Sequence, residues 1–112
     1  MSNKIYNLKS SSKANITYIT NDLIKKMSGE LVSTEIQDVN NGQVILMVFE
    51  KLFMRNGSYA NLTVMLTDDN EIQKAVIIGS GGGEGLFNIS WGANSDFADE
   101  AKEILEENGF YE

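Results

Sequence analysis

Two periods of apolar residues divide the chain. Ile16, Ile19, Leu23 and Met27 recur at three- and four-residue spacing, with Ile24 widening the stripe. Asp22, Lys25 and Lys26 lie off its centre. This is the pattern of a helix that buries one side. It predicts a helix over 12–28, with Ser10, Ser11 and Ser12 as a polar break and source of an N-cap. Gly29 is the expected C-cap. Beyond Gly29 the period falls to two, as side chains alternate along a strand. Val32, Thr34 and Ile36 alternate with Ser33, Glu35 and Gln37. Over 43–54, Val44, Leu46 and Val48 share one face and Ile45, Met47 and Phe49 the other. A strand apolar on both faces is interior, or one of its faces meets a partner. Over 58–67, Ala60, Leu62, Val64 and Leu66 oppose Tyr59, Asn61, Thr63, Met65 and Thr67. Asp68-Asp69-Asn70 reads as a turn, and 72–78 alternates again. Asn41-Gly42 and Asn56-Gly57 are hairpin signals. Residues 5–9 form a short extended segment.

The helical period returns at Phe97, Ala101, Ile104 and Leu105, predicting a helix over 95–108. Ser95 or Asp96 would cap it, Gly109 would end it, and Phe110 would fold back on its last turn. The expected fold is α+β: one domain over 1–112, with an antiparallel β-meander of four to five strands packed against two amphipathic helices. If both helices cover one face, the other face must be polar or occupied. Homodimerisation through that face or through a free edge is then expected, and a helix on each face is the alternative.

Composition narrows the chemistry. The chain of 112 residues has no His, no Cys and no Pro. Without Cys there are no disulfides and no thiolate metal sites. Without His, Ser-His-Asp and Cys-His catalysis are excluded. Absent Pro suits a meander, because Pro cannot donate to a ladder. The formal net charge of -7 argues against binding to nucleic acid or an anionic membrane, both of which need a basic footprint. The charge is uneven. Residues 1–29 hold five Lys and one Asp, whereas residues 84–112 hold eight acids and one Lys. The two ends could attract each other. No signal-peptide pattern opens the sequence, so a cytoplasmic location is expected. Asn15, Asn61 and Asn88 begin glycosylation sequons that are then chance matches.

Five of the ten glycines fall within 79–85, in the stretch GSGGGEGLFNISWGANSDF. This stretch, with the acidic helix after it, resembles the C-terminal signature of a family of small uncharacterised bacterial proteins. The resemblance covers most of the chain and implies one domain of cytoplasmic type. The family carries no established activity, so the resemblance assigns no catalytic or binding role.

Clustered glycines permit positive φ, close backbone approach and exposed amides that can cradle an anion. A phosphate loop is a poor match here. No Lys lies between Lys74 and Lys102, position 86 is Leu, and Glu84 repels phosphate. The bland reading is a bulged connection in which Phe87, Ile89 and Trp91 plug the core or form a fifth strand. The functional reading is a recognition loop, since exposed Trp and Phe anchor interfaces. The candidate ligand- or partner-binding residues are therefore Ser80, Gly81, Gly82, Gly83, Glu84, Phe87 and Trp91. Arg55, the sole arginine, joins them as a carboxylate clamp or is an exposed turn charge.

Asp68, Asp69 and Glu71 could hold a hard cation such as calcium, but they lack the EF-hand pattern and read as a solvated turn. No catalytic set, metal or cofactor is expected. Three functions follow, in descending order. The first is a non-enzymatic homodimer acting by protein–protein contact. The second is a small-molecule binder with a pocket between sheet and helices, lined by residues such as Ile45, Met47, Met65 and Trp91. The third is a carboxylate enzyme using Glu84.

Overall fold

The computed structural model describes residues 3–11, 14–53, 58–81 and 93–112. Its strands are β1 (Asn3–Ser10), β2 (Glu30–Val39), β3 (Gly42–Phe53), β4 (Ser58–Asp68) and β5 (Gln73–Gly81). Its helices are α1 (Ile16–Lys26) and α2 (Ala93–Glu107). All neighbouring strands are antiparallel, in the order β1-β5-β4-β3-β2. The expected α+β fold of an antiparallel sheet against two helices is present. β2 to β5 form the meander, and the fifth strand is β1, which pairs with β5. The alternative fifth strand over 87–91 lies outside the described residues, as does the Asn56-Gly57 signal.

The sheet buries one face. Ile45, Met47 and Phe49 of β3 lie beside Leu66, Val64 and Leu62 of β4, and these beside Ala75, Ile77 and Gly79 of β5. The apolar residues of this face join Ile19, Leu23, Phe97, Ala101 and Leu105 of the helices in one core. Both helices therefore cover the same face. α1 carries the chain from β1 at one edge to β2 at the other. At about 1.5 Å per residue its eleven residues span roughly 16 Å, close to the width of four strand spacings.

Helix boundaries depart from the periodic pattern for local reasons. α1 begins at Ile16 because Asn15 caps it, its side chain accepting from Thr17 N–H at 2.7 Å and Tyr18 N–H at 3.2 Å. Ser10 does not serve as cap; it ends β1, fully buried. The helix stops at Lys26, with Met27 extended as C-cap. Gly29 lies beyond the cap with φ +87°, and a Cβ there would stand 2.7 Å from Glu50 O. α2 ends as expected. Gly109 has φ +94°, its N–H reaches Glu106 O, Phe110 N–H reaches Leu105 O, and Phe110 is buried. This is the Schellman arrangement.

The β2–β3 hairpin turns one residue earlier than the Asn41-Gly42 signal. Val39 pairs with Gly42, leaving Asn40 and Asn41 in the turn. Gly42 serves a different need: a Cβ there would lie 1.5 Å from Asp68 O. Among the described residues the oppositely charged ends meet at an exposed pair. Glu107 of α2 lies 3.2 Å from Lys26 of α1, and Lys26 also lies 3.3 Å from Asp22.

Candidate functional site

Alternation places a second set of apolar residues on the side of the sheet away from the helices. Ile5 of β1 pairs with Ile78 of β5, and Ile78 with Thr63 of β4, which pairs with Val48 of β3. One step along the strands, Val76, Met65 and Leu46 form a parallel row. Tyr59 and Leu52 pair nearer the far end. Ile5 is 57% exposed, Tyr59 50%, and Leu46, Met65 and Ile78 between 36% and 37%. No described helix covers these side chains. β3 is thus the two-sided strand that its pattern predicted: it buries Ile45, Met47 and Phe49 and presents Val44, Leu46 and Val48 outward.

Charge on this open face is segregated. Lys9 of β1 and Lys74 of β5 pair with each other on one flank. Glu30 and Glu35 of β2 and Glu50 of β3 stand on the other. The outward positions of β4 (Tyr59, Asn61, Thr63, Met65 and Thr67) carry no charge. An uncharged centre with opposite charges on its flanks suits docking against a complementary surface.

The two edges of the sheet differ. Tyr111 pairs with Lys9 on the free side of β1, with hydrogen bonds of 2.8 and 2.9 Å in both directions. Among the described residues β2 has no strand beyond it, and Leu31, Val32, Ile36 and Val39 along it are exposed.

The sequence-predicted site divides. Ser80 and Gly81 are strand residues, not loop: Ser80 pairs with Asn3 and Asn61, and Gly81 with Ala60. The ladder continues through them because β4 flanks β5 to its end and β1 reaches Ser80. Gly82, Gly83, Glu84, Phe87, Trp91 and Arg55 lie outside the described residues. The suggested pocket residues do not converge. Ile45 and Met47 pack in the core, while Met65 is on the opposite face.

Three polar clusters have their own partners. At the β4–β5 turn, Asp69 accepts from Glu71 N–H at 2.9 Å and Ile72 N–H at 2.8 Å, and Asp68 accepts from Asn70 N–H at 2.9 Å. These backbone bonds, Ile72's foremost, hold the Asp69 carboxyl below its ordinary value. Among the described residues no group of three or more acidic side chains could hold a metal ion. Beneath α2, the Tyr6 hydroxyl donates to Asp99, which raises its pKa, and Lys102 stands 4.8 Å above its ring. At the end of α1, Ser28 Oγ donates to Glu100 at 2.8 Å and accepts from Lys51 Nζ at 2.7 Å. A cavity of about 330 Å³ opens between the start of α1 and the β4–β5 turn, lined in part by Asn15, Thr17, Asp68 and Gln73. Gln73 is 3% exposed. Its Nε2 donates to Ala14 O at 2.6 Å, and its buried Oε1 has no partner, an acceptor of the kind ordered water satisfies.

The sheet and its two helices define an α+β protein in which one sheet face packs on both helices and the other carries apolar side chains that no described helix covers. Residues 1–109 match a family of unknown function, DUF6054, and the chain belongs to that family. No curated protein matches the chain. No described helix is long and apolar enough to cross a membrane.

Proposed function

We propose that the protein acts by binding rather than by catalysis, as a homodimer that docks through the helix-free face of its sheet, in the cytoplasm. The observation that carries this is the row Ile5, Ile78, Thr63 and Val48, apolar but for Thr63, with Met65 and Leu46 beside it, on the side of the sheet away from the two helices. Contiguous exposed apolar surface of this kind marks an interaction site. The face also has the extent a dimer needs. Five strands of eight to twelve residues make a surface of roughly 24 by 30 Å, about 700 Å², against about 800 Å² per partner in a standard interface.

The test is sedimentation equilibrium at micromolar concentration on the wild type and on Met65→Glu. Met65 is half-way across the open face, so the substitution charges the interface without touching the core. A dimeric wild type and a monomeric variant with unchanged thermal unfolding are expected. A monomeric wild type, or a dimer undisturbed by the variant, overturns the reading.

A further inference from the structure

The flanking charges decide how two copies would meet. A half-turn about an axis lying in the interface and parallel to the strands carries the β1 flank of one copy over the β2 flank of the other. It also keeps each residue at its own level along the strands. Lys9 and Lys74 share a level with Val44 of β3 and Gln37 of β2. They would therefore lie over that level of the partner, with the partner's Glu35 two residues, or about 7 Å, further along. A lysine side chain spans that step. A half-turn about an in-plane axis across the strands does the opposite, setting acidic flank against acidic flank and basic against basic.

Resting on the docking face proposed above, we infer that the two copies pack sheet on sheet about a two-fold axis parallel to their strands. Each copy's Lys9 and Lys74 then stand nearest the other's Glu35, while Glu30 and Glu50 lie at the level of Asn3 and Ser80, about 20 Å further along the strands. The contact is isologous, so it closes at two copies and forms no filament. Aligned packing of two sheets is a stable layer arrangement. It leaves both helical layers outermost. Opposite charges at the rim fix the register, and the uncharged centre supplies the burial.

Two charge variants test the arrangement. Lys9→Glu with Lys74→Glu makes both flanks acidic. Glu35→Lys places a basic group where the partner's Lys9 and Lys74 come nearest. Every substituted position is exposed, and thermal unfolding of each variant checks that the fold is kept. Each variant alone is expected to self-associate at least about tenfold more weakly than the wild type, because like charges then meet on both sides. Mixed in equal amounts, the two are expected to form a heterodimer, seen as the mixed mass in native mass spectrometry. Self-association of either variant at wild-type strength, or failure of the mixture to pair, overturns this arrangement. If Met65→Glu is still monomeric in that case, docking through the face stands without it. A monomeric wild type overturns both.

Discussion

Ser28 gives both its backbone N–H and its hydroxyl to the one carboxylate of Glu100. Lys51 Nζ donates to the same hydroxyl, so the end of α1, the middle of α2 and the strand β3 meet at a single serine. Hydrogen bonds to an ionised group contribute about 1.5–3 kcal/mol each when partly shielded from water. Glu100→Ala is therefore expected to lower stability by about 1–3 kcal/mol, read as a shift of the urea midpoint. Glu100→Gln keeps one acceptor oxygen and is expected to cost less than Glu100→Ala. Equal midpoints for wild type and Glu100→Ala would contradict the role given to this carboxylate.

Gly42 is constrained by space. Any Cβ at this position would collide with the Asp68 carbonyl of the adjacent strand, and backbone cannot rotate aside as a side chain can. Gly42→Ala is expected to destabilise by about 1–3 kcal/mol or more, by forcing β3 away from β4 at the turn end. Equilibrium unfolding in urea provides the check.

Asn15 satisfies two amides at the start of α1. Asn15→Ala removes that acceptor and is expected to cost about 1 kcal/mol. Asn15→Ser is expected to keep most of it, since serine is an equivalent cap. The comparison of the two midpoints separates capping from other losses.

Asp69 has a folded pKa below 3.8 because two backbone amides bond its charged form. A depressed carboxyl stabilises the fold above the unfolded pKa, and that contribution is lost as pH falls through the folded value. Asp69→Asn is expected to flatten the dependence of stability on pH below 3.8, with little change near neutrality in its slope. Unfolding midpoints over an acid series measure this.

Tyr6 behaves in the opposite sense. Its bond to Asp99, and burial after it, raise its pKa above 10.0. A raised folded value gives stability that is present below the unfolded pKa and lost as pH rises through the folded one. Tyr6→Phe is expected to remove that alkaline loss. Ultraviolet difference titration of wild type against the variant is expected to show one hydroxyl ionising above 10.0.

Much of the fold was legible because burial follows period. Ala60, Leu62, Val64 and Leu66 alternate in sequence and are all fully buried in β4. The stripe from Ile16 to Met27 is buried in the same way. β1 was legible only as an extended piece, because an edge strand buries little: Leu8 and Ser10 alone are fully covered. Asn15 was hidden among neighbouring serines that could cap equally well by composition. Gly79 and Gly81 read as loop because glycine is rare inside strands, yet β4 pairs with both and β1 with Gly79, which holds them in the ladder. The open face was legible in the two-sided pattern of β3. The segregation of its charges was not, because Lys9 and Lys74 become neighbours only when the first strand meets the fifth.

That meeting has a consequence for how the chain assembles. β1 precedes the meander but pairs with β5, and its outer side is clasped by Tyr111, beyond α2. The hairpins β2–β3, β3–β4 and β4–β5 close over short loops, whereas the β1 ladder must close over most of the chain length. Long closures carry the greater entropy cost and come late in folding. On a ribosome the meander can form while β1 waits as a single strand. Tyr111, which follows the whole meander and α2, then seals its exposed edge.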